Sequence, residues 1–234
     1  MRIATFFIII NFININVSYA QLFGGQIKTK NDNCNQIWST TNLNVSTYSD
    51  GTPIPQVTDQ TQWANLTTGA WCYYNNDPAN GAIYGKLYNW YAVAGIYDAA
   101  SLANPTLRKQ LAPLGWHIPS EDEWNQYIDC LGGVNIAGGK MKETGFTHWI
   151  NPNSAATNES GFTGLPGGDR WGNGVFGGQN IGGTIHLTRY GHWWSSTEYS
   201  PGAARHYYLS YDNGTVQILG YSLRGGFSVR LLKD

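Results

Sequence analysis

The chain has 234 residues, of which only 12% are charged, and its formal net charge at pH 7 is −1. A chain of this length can bury a substantial core, and the lack of a basic stripe excludes nucleic acid as an expected partner. The 29 glycines, 10 tryptophans and 15 tyrosines favour turns, short strands and aromatic-rich loops over long helices.

The first twenty residues, MRIATFFIIINFININVSYA, have the features of a signal peptide. One basic residue, Arg2, precedes an apolar run over residues 3–12 that is too short for a transmembrane span. Ser18 and Ala20 lie at the −3 and −1 positions of a cleavage site before Gln21. We therefore expect residues 1–20 to be removed and the product to be secreted or held at the cell surface, with no transmembrane segment. An uncleaved anchor is the alternative.

Residues 21–35 are expected to form a polar tail or a first strand, and residues 36–234 a single domain. In YGKLYNWYAVAGI (84–96), apolar residues recur at helical spacing, which predicts a short amphipathic helix. Residues 97–112 have the composition of a surface loop with some helical tendency.

The segment GWHIPSEDEWNQYIDCLGG (115–133) predicts a second helix. Ser120 and Glu123 are spaced as a capping box, and acidic residues in the first turn suit the helix dipole. One apolar face is formed by Trp124, Tyr127, Ile128 and Leu131. The carboxylates beside His117 thus have a structural explanation, and we do not expect them to be catalytic.

The remainder of the chain is expected to be mostly loop until a hairpin near its end. ARHYYLSY and TVQILGY flank the turn sequence Asp212-Asn213-Gly214. The segment GFSVRLL (226–232) alternates apolar and polar residues, which predicts a half-buried strand.

No motif for catalysis stands out in this sequence. The five histidines form no HExxH pair, no GxSxG is present, and the cysteines lack the spacing of a zinc site. The glycine-rich segment GLPGGDRWGNGVFGG lacks the lysine of a phosphate-binding loop. We therefore expect a protein that is not an enzyme.

Binding is the function that the residues favour, because aromatic rings and polar groups lie among glycines near residues 169–192. The candidate ligand-binding residues are Arg170, Trp171, Phe176, His186, Arg189, Tyr190 and His192. In a glycine-rich fold these aromatic residues could equally serve to cover the core. No cofactor is required, although calcium is possible at Asn75, Asn76, Asp77, Asn158 and Glu159, whose side chains offer oxygen ligands. Asn and Asp are equally common in turns.

Seven segments, in order, resemble one bacterial family, the Fibrobacter succinogenes major paralogous domain. They are YSDGTPIPQVTDQTQWANLTTGAWCYYNND, YGKLYNWYAV, GWHIPSEDEWNQYIDCLGG, AGGKMKETGFTHWINPN, ATNESGFTGLPGGDR, WWSSTEYS and GFSVRLLKD. The family's members are exported proteins of Bacteroidetes, Fibrobacteres and related groups. GWHIPSEDEWN and GFSVR are also similar to stretches of formylglycine-generating-enzyme-type domains.

The resemblance implies an α+β, C-type-lectin-like fold with two main helices, small antiparallel sheets and long glycine-rich loops. Such a scaffold usually binds a glycan or a protein ligand, so a binding or adhesion module is expected. The alternatives are a structural subunit of a cell-surface assembly and, less favoured, an enzyme of unknown type. Formylglycine-generating oxidases hold copper with two cysteines near the C-terminus, and this chain has no cysteine after Cys130. The resemblance therefore does not extend to that activity.

The cysteines depart from the family's pattern. Family members commonly have cysteines where this chain has Ala112 and Leu231, whereas Cys34 and Cys130 stand where the family has other residues. We hypothesise that Cys34 and Cys130 form a replacement disulfide. The alternative is that these two and Cys72 are all unpaired, and in either case Cys72 is expected to be buried.

Overall fold

The computed structural model describes residues 29–31, 34–178 and 186–234, and these form an α+β architecture of short helices and small antiparallel sheets. The helices are α1 (Gln60–Ala64), α2 (Pro78–Tyr84), α3 (Trp90–Val93), α4 (Ala99–Ala103), α5 (Glu121–Cys130) and α6 (Val134–Met141). The strands are β1 (Thr29–Asn31), β2 (Ile37–Ser39), β3 (Trp71–Cys72), β4 (Leu87–Tyr88), β5 (Trp116–His117), β6 (Tyr190–Ser200), β7 (Ala203–Ser210), β8 (Val216–Ser222) and β9 (Leu232–Lys233). The signal peptide expected at residues 1–20 lies outside the described residues. Within the described ranges, no helix has the length and apolar character needed to cross a membrane.

The strands form three sheets, with orders β1-β2-β9-β5, β3-β4 and β6-β7-β8. The β6–β7–β8 sheet has a different core on each face. Trp193 and Tyr207 point toward the core that contains Trp124 of α5, whereas Trp194 belongs to the core that contains Phe227. Alternate residues of a strand project to opposite faces, so adjacent tryptophans in β6 serve both cores.

The predicted second helix is confirmed as α5. Its N-cap, Ser120, accepts a hydrogen bond from the backbone of Glu123 at 3.3 Å, and the Glu123 carboxylate accepts from the backbone of Ser120 at 2.8 Å. The buried face of α5 packs on Trp38, whose ring centroid is 4.6 Å from that of Trp124 and 4.8 Å from that of Tyr127. Local capping and a tertiary apolar contact therefore specify the same helix.

The prediction of one helix over residues 84–96 is wrong for the first half of that segment. This half contains the strand β4, and the single helical turn of α3 follows it. Phe227 exchanges two backbone hydrogen bonds with Tyr88, of 2.9 and 3.1 Å, and these hold the segment extended. Asn89 then caps α3 by accepting from the amide of Ala92 at 3.0 Å. A partner from the end of the chain therefore overrides the helical spacing.

The loop expected after α5 is also wrong in part, because it contains α6. Glycine disfavours a helix, but two glycines of α6 lie against other backbone segments. A Cβ on Gly138 would lie 2.7 Å from the Thr215 carbonyl oxygen, and one on Gly139 would lie 2.4 Å from that of Ala155. These glycines are retained because the backbones approach too closely for a side chain.

The alternating strand predicted over residues 226–232 is wrong, because its polar positions are buried as well. Ser228 is 1% exposed and Arg230 is 0% exposed. The Arg230 guanidinium donates to the carbonyl oxygens of Ser39 at 2.7 Å and Phe162 at 2.8 Å. Burial lowers the pKa of Arg230 to about 9. A buried arginine that satisfies backbone carbonyls looks, in sequence, like a solvent-facing residue.

The hairpin predicted near the end of the chain is confirmed: β7 and β8 pair antiparallel and are joined by the turn over residues 211–215. Its register places Leu209 opposite Val216 and Ala203 opposite Ser222. The preceding strand, β6, pairs with the other edge of β7. The three strands therefore form an antiparallel sheet in chain order.

The structure joins Cys34 and Cys130 in a disulfide with their Cα atoms 5.8 Å apart, so the alternative of three unpaired cysteines does not hold. Cys72 is free and buried, as expected. Ala112 and Leu231, which stand where the family has cysteines, are both buried in the same core. The bridge links the segment before β2 to the end of α5.

Candidate functional site

One face of the β6–β7–β8 sheet carries two histidines, His206, which is buried, and His192, whose side chain is 11% exposed. In the antiparallel register, His192 lies opposite Tyr208, and His206 lies opposite Trp194. The ring centroids of His192 and His206 are 5.7 Å apart, and that of Tyr208 is 5.1 Å from His192. Imidazole groups therefore occupy positions of this sheet face at which apolar side chains are more usual.

The glycine-rich segment before β6 places Asp169 against this face. Its neighbour Gly168 forms a parallel bridge with Gly191 of β6. Gly177 donates its amide to the Asp169 carbonyl oxygen at 3.0 Å and accepts from the amide of His186 at 3.3 Å. A Cβ on Gly177 would lie 2.2 Å from Asp169 Oδ1 and 2.3 Å from His186 Nδ1, so glycine is needed here.

Asp169, His186 and His192 form what we call the Asp–His cluster. Asp169 Oδ1 lies 2.6 Å from His186 Nδ1 and 3.9 Å from His192 Nε2. The side chains are 4%, 24% and 11% exposed, respectively, so solvent reaches the cluster mainly at His186. Burial lowers the pKa of His192 to about 4. Burial by itself would raise the pKa of Asp169, but the neighbouring His192 and His186 hold that pKa below its usual value.

Partly exposed aromatic rings and the Arg189 side chain lie beside the cluster. Together with His186, which belongs to the cluster as well, they form what we call the aromatic face. Its members are Trp171, His186, Arg189, Tyr190, Tyr208 and Tyr211. The His186 ring centroid is 6.1 Å from that of Trp171 and 4.8 Å from that of Tyr190. Tyr190 is 6.3 Å from Tyr208 and 6.4 Å from Tyr211, and the Arg189 guanidinium lies over Tyr211 at 4.9 Å. The rings therefore form one continuous surface.

The candidate ligand-binding residues divide between this surface and the interior. Trp171, His186, Arg189 and Tyr190 belong to the aromatic face, and His192 lies beneath it. Arg170 and Phe176 are buried, at 1% and 5% exposure, so the expectation that they contact a ligand does not fit the structure.

The donors of Arg170 are used within the fold. Its guanidinium donates to the carbonyl oxygens of Val57 at 2.7 Å and Thr58 at 2.9 Å, and it lies over the ring of Phe176 at 4.7 Å. These contacts tie the glycine-rich segment to the residues before α1. In the printed sequence, nothing distinguishes such an arginine from one that faces a ligand.

The residues proposed as calcium ligands are used in two separate turns. Asp77 caps α2 by accepting from the amide of Ala79 at 2.9 Å, and Asn158 accepts from the amide of Thr163 at 2.9 Å. The left-handed backbone conformation occurs at Asn75, Asn76 and Asn158, while Glu159 lies 3.6 Å from the ammonium of Lys140. These are the turn and cap roles common for Asn and Asp, and calcium binding stays a prediction.

The candidate residues named from the sequence did not include Asp169, His206, Tyr208 or Tyr211, although the first three lie within stretches expected to be near the ligand. Asp169 stands beside an arginine in a glycine-rich loop, and its contact with His186 spans 17 residues. A strand pairing of HWWSSTEYS (192–200) with ARHYYLSY (204–211) would have placed His192 beside His206 and Tyr208. That pairing is the signal that the sequence offered.

A groove of about 480 Å³ lies elsewhere on the surface, lined by residues 45–51, 110, 111, 113 and 114. The hydroxyl of Tyr48 in this groove is buried and has no hydrogen-bond partner among the described residues. None of the candidate ligand-binding residues lines it. The groove is large enough for a small ligand. Binding experiments must therefore distinguish a ligand in this groove from one on the aromatic face.

Comparison with known proteins shows which family the chain is similar to. The model of the family described as the Fibrobacter succinogenes major domain matches residues 33–233, which include the Asp–His cluster and the aromatic face. No curated protein and no solved structure matches the chain.

Proposed function

Because the chain belongs to the Fibrobacter succinogenes major domain family, we propose that it is an exported, non-enzymatic binding or adhesion module whose aromatic face recognises a glycan. The observation that carries the proposal is the continuous surface of partly exposed rings from Trp171 to Tyr211. Trp, Tyr and Arg provide contact area at a low cost in conformational entropy, which is why they dominate recognition surfaces. Tyrosine hydroxyls and imidazole nitrogens on the same surface supply hydrogen bonds for sugar hydroxyls.

The export part of the proposal has separate support. A disulfide such as Cys34–Cys130 persists in oxidising compartments and is rare in the cytosol. Residues 1–20 have the pattern of a signal peptide. N-terminal sequencing of the protein from its native host should find a chain that begins at Gln21, and a retained Met1 would contradict cleavage.

We also propose that the α+β architecture is a C-type-lectin-like fold. Three features support it: the capped helix α5, the pairing of β9 between β2 and β5, and the long glycine-rich connection from α6 to β6. An experimental structure that does not superpose on any C-type-lectin-like domain would refute this assignment.

The experiment for the binding proposal is a glycan array probed with residues 21–234, with and without EDTA. We expect glycan binding that Trp171→Ala and Tyr190→Ala each reduce at least tenfold. Tyr199→Ala is the matched control, because this tyrosine is 53% exposed, stacks on Arg205 at 3.7 Å and lies outside the aromatic face.

Three other results would redirect the proposal. Binding that survives both aromatic-face variants would move the site elsewhere, with the groove beside Tyr48 examined next. Binding lost in EDTA would add an ion requirement and direct attention to the calcium candidates and the Asp–His cluster. No binding to any glycan would reject the glycan ligand and leave a protein partner or a structural role in a surface assembly.

A further inference from the structure

We infer that the Asp–His cluster is a binding site for one divalent transition-metal ion, with Zn²⁺ the preferred ion. Asp169, His186 and His192 each offer one ligand atom, and these three atoms all lie within 4.8 Å of one another. Among the described residues, this is the one group of at least three His, Cys, Asp or Glu side chains that meets this distance. The inference concerns metal binding itself and does not depend on what the aromatic face recognises.

The distances suit an ion after small side-chain movements. Tetrahedral Zn²⁺ bonded at about 2.0–2.1 Å holds its ligand atoms roughly 3.3 Å apart. In the structure, Asp169 Oδ1 is 2.6 Å from His186 Nδ1 and 3.9 Å from His192 Nε2, so the two separations lie on either side of that value. Replacing the Asp169–His186 hydrogen bond with two bonds to an ion would widen the first separation, and drawing in His192 would narrow the second.

His192 provides an independent reason to expect a ligand here. Both of its ring nitrogens are buried and have no hydrogen-bond partner among the described residues. Buried polar side-chain atoms are nearly always satisfied by a partner, and one that is not calls for an explanation. An ion bonded to Nε2 would satisfy the nitrogen that faces Asp169.

The donor set selects the class of ion. Two imidazoles and one carboxylate suit Zn²⁺ and other borderline divalent ions, whereas Ca²⁺ and Mg²⁺ prefer a shell of oxygens. Three protein ligands leave the fourth tetrahedral position open, as in zinc sites that bind an exogenous molecule. The more exposed His186 lies on the solvent side of the cluster, so the open position can accept water or a group on a ligand of the aromatic face.

The experiment measures metal binding directly on tag-free protein that has been stripped with a chelator. Isothermal titration with Zn²⁺ should find one ion per chain, and Co²⁺ should give the visible absorption bands of a four-coordinate site. Asp169→Asn and His186→Ala should each weaken Zn²⁺ binding at least tenfold. Both variants leave His192 unchanged, and their circular dichroism and melting curves without metal will show that they fold.

A matched control is available in the same chain. His148 Nδ1 lies 2.8 Å from Glu143 Oε2, and the His148 side chain is 24% exposed, as that of His186 is. Among the described residues, this pair has no third His, Cys, Asp or Glu placed to complete a metal site. His148→Ala should leave the stoichiometry and the affinity unchanged. The proposal is overturned if the protein takes up no Zn²⁺ at micromolar concentration, or if Asp169→Asn and His186→Ala bind Zn²⁺ as the original chain does. Loss of binding in His148→Ala alone would move the metal away from the cluster and also reject it.

Glycan binding and metal binding have separate readouts, so each proposal can fail alone. A protein that binds Zn²⁺ but no glycan retains this inference and loses the proposed function. A protein that binds glycans but takes up no Zn²⁺ retains the proposed function and loses the metal site.

Discussion

Single polar side chains connect distant parts of this fold. His117, in β5, has Nε2 2.8 Å from Glu123 Oε1 and Nδ1 2.7 Å from Asp234 Oδ1. The same Glu123 carboxylate accepts from Ser120, the N-cap of α5, so the histidine supports the capping box from outside the helix. Burial by itself lowers the pKa of His117, but the hydrogen bonds to Asp234 and Glu123 raise it above the usual value.

The raised pKa predicts how stability depends on pH. A folded-state pKa above the unfolded value of 6.5 means that the folded protein binds this proton more tightly. The stabilisation from His117 is therefore complete below the unfolded pKa and is lost as the pH rises through the folded pKa. Urea denaturation should show that His117→Gln lowers the free energy of unfolding more at about pH 5.5 than at about pH 8.5. A difference between the two proteins that stays constant over this range would contradict the assignment.

Among the elements, α6 shows how close packing selects residues that oppose the local conformation. Gly138 is a poor helix former, yet it lies where backbone oxygens of the β7–β8 turn, those of Gly214 and Thr215, would be 2.7 Å from a Cβ. Helix propensity favours alanine at this position by about 1 kcal/mol, whereas the tertiary contact favours glycine. The contact wins because these oxygens belong to backbone that cannot move without shifting the turn.

We therefore predict that Gly138→Ala destabilises the protein, by about 1–3 kcal/mol, as overpacking commonly does. Asn135→Ala is the control, because Asn135 lies on the exposed side of the same helix and the change improves helix propensity by a few tenths of a kcal/mol. Chemical denaturation of both variants measures the two effects. If Gly138→Ala were stabilising, the close approach of α6 to the turn would be wrong.

For the whole molecule, closure depends on contacts between the two ends of the domain. β9 pairs with β2 and with β5, so residues near 38, 117 and 232 share one sheet. The Cys34–Cys130 disulfide adds a covalent link between residues 96 apart in sequence. The disulfide, being covalent, also restricts the unfolded chain, and a cross-link that closes a long loop is expected to contribute more than one that closes a short loop.

Removing the disulfide should lower stability without changing the fold. We expect Cys34→Ser with Cys130→Ser to reduce the free energy of unfolding by about 2–4 kcal/mol, the usual range for a bridge over a long loop. Cys72→Ala is the control for losing a cysteine, because Cys72 is free and its removal leaves the bridge intact. Equal stability of the double variant and the original protein under oxidising conditions would show that the bridge contributes nothing.

The candidate site was only partly predictable for a reason that its residues make clear. Trp171, His186 and Tyr190 are recognisable as aromatic residues among glycines, and the structure brings them into ring contact. Asp169 and His206 gave no local signal, because their roles depend on a loop that crosses a sheet face and on the register of β6 with β7. Arg170 lies among the same kinds of neighbours in the sequence as a ligand-binding arginine does. Only its burial in the structure shows that it supports the fold and does not contact a ligand.

The amino-acid sequence by itself determined the features that depend on near neighbours: the capping box and apolar face of α5, the β7–β8 turn and the family. The helix and the turn are each encoded by residues a few positions apart, where spacing is enough to specify hydrogen bonds and burial, and the family is encoded by the order of several such segments along the chain. Only the tertiary structure decided that residues 84–96 begin as a strand, that Arg230 is buried and that Asp169 meets two histidines. These depend on partners tens of residues or more away, because close packing and burial select a side chain's role only after the distant segments have met.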